Sequence, residues 1–204
     1  MKTLVLFAHP ALHQSRINKA MLKAARGVAD ITVADLYADY PRHEINVERE
    51  QKRLLDHDLI VFQYPFHWYS CPPIIKEWFD LVLEHGFAYG HGGEALKGKR
   101  WLSAISTGAP ASAYTPEGRH HFTLRQLLSP VEATANLCGM PFLAPFVFNG
   151  SLSANNTARD EHVAAYVRLL TALRDDHVDI ERARRRELLT AADIGDIMLQ
   201  VTHG

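Results

Sequence analysis

Three stretches of the 204-residue chain carry residue types that could do chemistry. The first is Ala8-His9-Pro10-Ala11-Leu12-His13-Gln14-Ser15-Arg16-Ile17-Asn18. Between Ser15 and Asn18 it brings together a hydroxyl, a guanidinium, a side-chain amide and the N–H groups of a helix start, with His9 just upstream. Such a set suits a phosphate. The first N–H groups of a helix have no intrahelical partner, and the helix dipole favours negative charge there. Ser is also a leading N-cap residue, so the loop alone leaves both roles open. It contains no glycine and is neither a dinucleotide fingerprint nor a P-loop.

The second stretch, Pro65 to Pro73, places Phe66, His67, Trp68 and Tyr69 in succession on a loop expected to face solvent. A flat aromatic cofactor stacked on these rings would account for them, and so would a partner subunit covering the loop. The third is Ser106-Thr107-Gly108-Ala109-Pro110, followed by Tyr114 and His120. Gly108 lets backbone come close to a ligand. The phenol and imidazole can share a proton near neutral pH.

Each stretch follows a run that reads as a buried strand. Leu4 to Ala8 and Leu59 to Phe62 are apolar throughout, and Ile31 to Leu36, Trp101 to Ile105 and Phe142 to Phe148 complete a set of five, the last edge-like because of Pro145. Helices are expected after Ser15, over Glu48 to Leu55, from Pro72-Pro73 to a stop at Gly86, over Leu124 to Leu137 with a break at Pro130, and over Glu161 to Leu173. Strands alternating with helices indicate an α/β fold, a doubly wound parallel sheet with helices on both faces. Ligands of such a sheet bind beyond the carboxyl ends of its strands, where all three stretches lie.

Composition removes other classes. With 22 Lys+Arg against 23 Asp+Glu and a net charge of −1, a nucleic-acid binder relying on a basic face is excluded, and an acidic electron carrier docking by charge is disfavoured. The absence of a signal-like start, of an apolar run of about 18 residues and of paired cysteines leads to the expectation of a reduced, cytoplasmic protein. Cys71 and Cys138 are expected to be small buried residues. Gly93 to Arg100 approximates a P-loop, but Arg100 stands where Ser or Thr would bind magnesium and a strand follows it, so it is rejected. The 12 histidines form no metal-ligand motif.

The sequence resembles the flavodoxin-fold NAD(P)H:quinone oxidoreductases. Ala8-His9-Pro10 with Ser15-Arg16-Ile17-Asn18, Asp35-Leu36-Tyr37, Tyr64 to Tyr69, Lys76 to Asp80, and Ser106-Thr107-Gly108 carry the likeness. Within that family it is most similar to the ancillary flavoprotein subunits of glutathione-gated potassium efflux systems, through Tyr69 to Pro73, Glu84 to Gly93 and Leu137-Cys138-Gly139. The resemblance implies FMN, or alternatively FAD, as cofactor, NAD(P)H as co-substrate, a quinone-like acceptor, ping-pong hydride transfer and a homodimer. It also implies a second reading, a regulatory subunit of a potassium efflux transporter at the inner face of the membrane. By the same resemblance, His9 and Ser15, Arg16, Ile17 and Asn18 would meet the flavin phosphate and ribityl chain. Phe66, His67, Trp68 and Tyr69 would wall the ring, and Ser106, Thr107, Gly108 and Ala109 would meet its pyrimidine edge. Tyr114 and His120 would be catalytic, with His121 adjacent as the alternative to His120. Ala109 departs from a Gly-Gly pair common in the family.

The likeness covers about Lys2 to Leu173, and residues 1–175 are read as the flavin-binding domain. Residues 176–204 are read as a helical extension in which Thr190-Ala191-Ala192-Asp193 resembles a capping box. Ile194, Ile197, Met198 and Val201 would share one helical face and pack on the partner of a two-fold dimer.

Overall fold

The apolar runs form five parallel strands in a computed structural model, which describes residues 1–199. They are β1 (Thr3–Phe7), β2 (Ile31–Asp35), β3 (Leu59–Pro65), β4 (Arg100–Ser106) and β5 (Phe146–Phe148). Their spatial order is β2-β1-β3-β4-β5, with every pair parallel. The helices are α1 (Arg16–Arg26), α2 (Leu36–Asp39), α3 (Val47–Leu55), α4 (Pro73–Val82), α5 (Leu124–Leu127), α6 (Ser129–Leu137), α7 (Asn156–Arg174) and α8 (Ile180–Arg185). This is the expected doubly wound, flavodoxin-like sheet. The strand order reverses between β1 and β3, so the carboxyl ends of these two strands flank the crevice that binds ligands in sheets of this order.

The pleat of β1 divides the core into two layers. Leu4 and Leu6 pack with Ile74 and Trp78 of α4 and Ala135 of α6. Val5 packs with Ile17, Met21 and Ala25 of α1 and with Ala165 and Leu169 of α7. Helices on both faces are why every residue of β1 and β3 is buried.

Several boundaries differ from expectation for local reasons. β2 stops at Asp35, whose carboxylate accepts from the Ala38 N–H and caps α2. α4 ends at Val82, ahead of Gly86, because Leu83 already leaves helical backbone. The break in the α5–α6 region falls at Leu128, and Pro130 sits in the first turn of α6, where its missing N–H costs nothing. β5 is short because Pro145 cannot donate to a ladder, and Phe142 forms only an isolated bridge to Trp101. α7 starts at Asn156 because Asn155 caps it by accepting from Ala158 N at 2.8 Å. Cys138 is buried, but Cys71 is only partly so.

The segment after α7 lies against the sheet. Leu189 N donates to Pro145 O and Val147 N donates to Leu189 O, both at 2.8 Å, which covers the free edge of β5. The Thr190–Asp193 capping box forms and is followed by two short 3-10 turns, Ala191–Asp193 and Gly195–Ile197. Ile194 and Ile197 are buried in the chain's own core with α7, and Met198 packs against them. The expectation that this stripe packs on a partner subunit is therefore corrected; the open edge of β5 and the flank of α7 supply apolar cover within the chain. Val201 lies outside the described residues. Among the described residues no helix is long and apolar enough to cross a membrane.

Candidate functional site

At the start of α1, Ser15 is in extended backbone and its Oγ accepts from Asn18 N at 3.1 Å, so it is an N-cap. Asn18 is 2% exposed. Its Nδ2 donates to Ser15 Oγ at 3.1 Å and to Ser106 Oγ, at the end of β4, at 2.8 Å. Gln63 of β3 donates to Asn18 O at 3.2 Å and accepts from Tyr166 of α7 at 3.1 Å. This chain of amides and hydroxyls fixes the helix start against the sheet. The cap uses the Asn18 N–H, while those of Arg16 and Ile17 precede the first intrahelical bond. No acidic side chain stands in that first turn. The Ile17 side chain is in the core and Arg16 is exposed, so Ile17 can offer a ligand only its N–H. Asn18 Oδ1 is buried without a partner in the protein.

His9 Nδ1 accepts from Ala11 N at 3.1 Å, which leaves the proton of the neutral ring on Nε2. Burial, and then the neighbouring His67 and His13, lower its pKa to about 4. The His9 and His67 rings meet edge-on at 6.1 Å, and burial lowers His67 as well.

After β3 the chain makes a tight turn. His67 and Ser70 exchange two backbone hydrogen bonds of 3.0 Å around Trp68 and Tyr69, whose φ angles are +48° and +63°. Positive φ at both central residues is the pattern of a type I′ turn, which normally selects Asn-Gly. Two bulky aromatics there are strained, and such strain concentrates at functional sites. Trp68 is 93% exposed and Tyr69 47%, whereas Phe66 is buried and its N–H donates to Ser106 O at 2.8 Å.

After β4, Thr107 is anchored by its N–H to Phe148 O at 2.9 Å, and its Oγ1 lies 2.8 Å from Ala109 O and 3.1 Å from Asn149 Oδ1. A Cβ on Gly108 would sit 3.3 Å from Leu152 Cδ1, so this position is tight for any larger residue. The Tyr114 ring lies 4.7 Å from that of His120 and edge-on to Phe66 at 6.2 Å. Burial raises the Tyr114 phenol, opposed in part by the Thr107 hydroxyl. His120 Nδ1 is 3.1 Å from the Tyr69 hydroxyl. His121 instead turns its Nδ1 toward Pro116 O at 3.3 Å, so it is His120 that stands beside both tyrosines.

The three loops thus meet at one end of the sheet. Ser15, Asn18, Ser106, Phe66, Tyr114, His120 and Tyr69 are linked contact by contact, and the others flank them. Gln63, Asn149 and the Tyr69–His120 contact were not anticipated. The first had a signal, an amide inside an otherwise apolar strand; the others join positions 42 and 51 residues apart. The rejected P-loop-like segment precedes β4, and its Gly93 is packed too closely for a side chain, a Cβ there lying 2.0 Å from Tyr89 O.

Residues 1–170 match the family described as flavodoxin-like fold, and the chain belongs to that family. Similar proteins narrow the class. The uncharacterized NAD(P)H oxidoreductase YrkL of Bacillus subtilis is 45% identical, over 87% of this chain and 100% of its own length. The glutathione-regulated potassium-efflux system ancillary protein KefG of Cronobacter sakazakii is 44% identical, over 83% of this chain and 92% of its own. Among solved structures, general stress protein 14 of Treponema denticola in complex with FMN shares 40% identity with a TM-score of 0.78, covering 86% of this chain and 99% of its own. An NADPH-quinone reductase from P. pentosaceus shares 33% identity with a TM-score of 0.75, covering 82% and 96%.

Proposed function

We propose that this protein is an FMN-dependent oxidoreductase that moves two electrons from NAD(P)H to a quinone-like acceptor. The convergence of a helix start with free N–H groups, an aromatic turn and a Tyr–His pair at one end of the sheet carries this reading. Relatives named NAD(P)H oxidoreductase and NADPH-quinone reductase, and an FMN complex of a similar chain, support it. The residues present fit the cofactor. The Arg16 and Ile17 N–H groups, the Ser15 hydroxyl and the absence of acid suit its phosphate. The unpartnered Asn18 Oδ1 can accept from a hydroxyl of the sugar-like chain. Phe66, His67, Trp68 and Tyr69 give a wall of rings, and the Gly108 and Ala109 N–H groups give donors for a polar ring edge, the Thr107 N–H being used on Phe148 O.

When bound, the flavin supplies hydride acceptance and donation. His9 stays neutral at physiological pH, so no charge competes there. Tyr114 and His120 stand where a phenol and an imidazole can steady charge and pass a proton. NAD(P)H and the acceptor would enter the same cavity in turn, giving ping-pong kinetics. The KefG relative favours a second reading, in which the same flavoprotein serves as the ancillary subunit of a potassium efflux transporter. A homodimer belongs to both readings, with its contact assigned to exposed apolar groups such as Trp68, Phe122 and Leu152.

The decisive measurement is the absorption spectrum and flavin content of the purified protein, wild type and Ser15→Asp. Asp caps a helix as well as Ser does and favours the dipole, so the variant keeps its fold while setting negative charge against the phosphate. A colourless, folded variant beside a yellow wild type is expected. Full FMN occupancy in the variant would reduce Ser15 to a cap alone. Steady-state turnover with NADH or NADPH and a quinone then tests the activity, and co-purification with an efflux transporter tests the second reading.

A further inference from the structure

Tyr69 is joined to His120 across 51 residues of sequence, its hydroxyl 3.1 Å from Nδ1 and its ring edge-on to the imidazole at 5.3 Å. The turn carrying Tyr69 is held in left-handed backbone, where Asn or Gly would be unstrained. Its conformation brings the phenol to the imidazole.

A phenol is a good donor and a modest acceptor, because its oxygen lone pairs are delocalised into the ring. The unprotonated nitrogen of a neutral imidazole is a strong acceptor. The favoured arrangement is therefore Tyr69 O–H donating to His120 Nδ1, with the ring proton on Nε2. That Nε2 is buried and meets no acceptor in the protein, an arrangement usually disfavoured unless something else satisfies the group. The Tyr69 and Tyr114 rings both lie against His120, at 5.3 and 4.7 Å.

We infer that Tyr69 is a positioning residue which, by donating to Nδ1, holds His120 as the Nε2–H tautomer, a donor set aside for an electron-rich acceptor atom in the site. The inference rests on the proposed role of His120 and adds what orients it. It makes the strained turn a working part of the proton-handling pair and distinguishes Tyr69 from its neighbour Trp68, which contacts nothing comparable.

The test uses full-length, cofactor-loaded protein labelled with 15N-histidine, with His120 assigned by its loss in His120→Asn. Long-range 1H–15N correlation at alkaline pH, where imidazoles are neutral, reports which nitrogen carries the proton. In wild type, Nδ1 should resonate as the unprotonated and Nε2 as the protonated nitrogen. Tyr69→Phe keeps the ring and should shift both toward a mixture of tautomers. It should also lower the rate of flavin reduction by NAD(P)H several-fold with little change in KM for NAD(P)H. Tyr69→Asn, which suits the turn better, should do the same without loss of stability. Unchanged His120 nitrogen shifts in both variants would overturn the inference. A shifted tautomer with an unchanged reduction rate would support the positioning role and overturn the catalytic role of His120 instead.

Discussion

Two polar clusters in this protein are built on opposite terms. Around Glu50, fully buried between α3 and α4, every demand is met. Oε1 accepts from Tyr40 and Arg53, each at 2.6 Å, Oε2 accepts from Trp78 Nε1 at 3.0 Å, and Arg53 also donates to Asp39 at 2.8 Å. Burial and the bond to Glu50 push the Tyr40 phenol up to about 12, so it remains a donor. At the carboxyl end of the sheet, Asn18 Oδ1 and His120 Nε2 are buried without partners and two aromatics sit in left-handed backbone. A closed network holds structure together; groups left open are available to a ligand.

Breaking the open cluster should cost rate while leaving the fold. Tyr114→Phe and His120→Ala are each expected to slow flavin reduction by NAD(P)H by about 10²–10⁴-fold, the usual worth of acid–base assistance, with cofactor retained. Stopped-flow absorbance of the flavin reads this directly. Rates equal to wild type in both variants would remove these residues from the chemistry, and a loss confined to His121→Ala would move the role by one position.

Breaking the closed cluster should do the reverse. Glu50→Ala leaves the Tyr40 hydroxyl and Trp78 Nε1 without their acceptor while Arg53 keeps Asp39, and each buried donor left unsatisfied costs about 1–3 kcal/mol. Denaturant unfolding should register that loss, while the folded fraction keeps wild-type flavin reduction. A variant of unchanged stability would mean that water reaches this network.

A third group tests whether an unpartnered atom always signals a ligand. His162 is 2% exposed, its Nε2 has no partner, and it stacks on Phe146 at 4.3 Å. Burial lowers its pKa from 6.5 to about 4. The folded state therefore resists protonation, so its stability is full above pH 6.5 and falls as the pH drops toward 4 and the unfolded chain takes up the proton. The shift corresponds to about 3 kcal/mol at most. His162→Leu, close in volume, should unfold at lower pH than wild type. An identical acid midpoint would show that His162 titrates normally.

Much of this contrast was legible in the sequence, and the rest had a physical reason to be hidden. Apolar runs such as Leu59 to Phe62 announce strands buried on both faces because they are short, rich in β-branched and aromatic residues and closed by a proline at Pro65, and the loops behind them inherit the site from topology. Helix-start chemistry alone marked Ser15 as a cap or a phosphate contact without choosing between them, and the resemblance to a family supplied the choice. The Tyr69–His120 contact could not be read at all, because it depends on how two loops 51 residues apart fold over one another. Ile194 and Ile197 show a second limit. Periodicity identifies an apolar face, but not whether the chain itself or another subunit covers it.

The smallest expected effect concerns the strained turn itself. Left-handed backbone costs an ordinary residue about 1–2 kcal/mol, and Gly gives back roughly 0.5–1 kcal/mol through its greater freedom in the unfolded chain. Replacing Trp68 by Asn and Tyr69 by Gly installs the preferred type I′ pair at the two positive-φ positions. In the cofactor-free monomer, the form in which stability is compared, little packing is lost, since Trp68 is 93% exposed there. The double variant should therefore gain roughly 1 kcal/mol and melt about 2–4 °C higher. It also loses the outer ring wall and the phenol on His120, so flavin should bind more weakly and its reduction should slow. Opposite signs for stability and function are what a turn kept under strain for its site predicts. A variant that is both less stable and less active would show instead that the aromatics hold the turn in place.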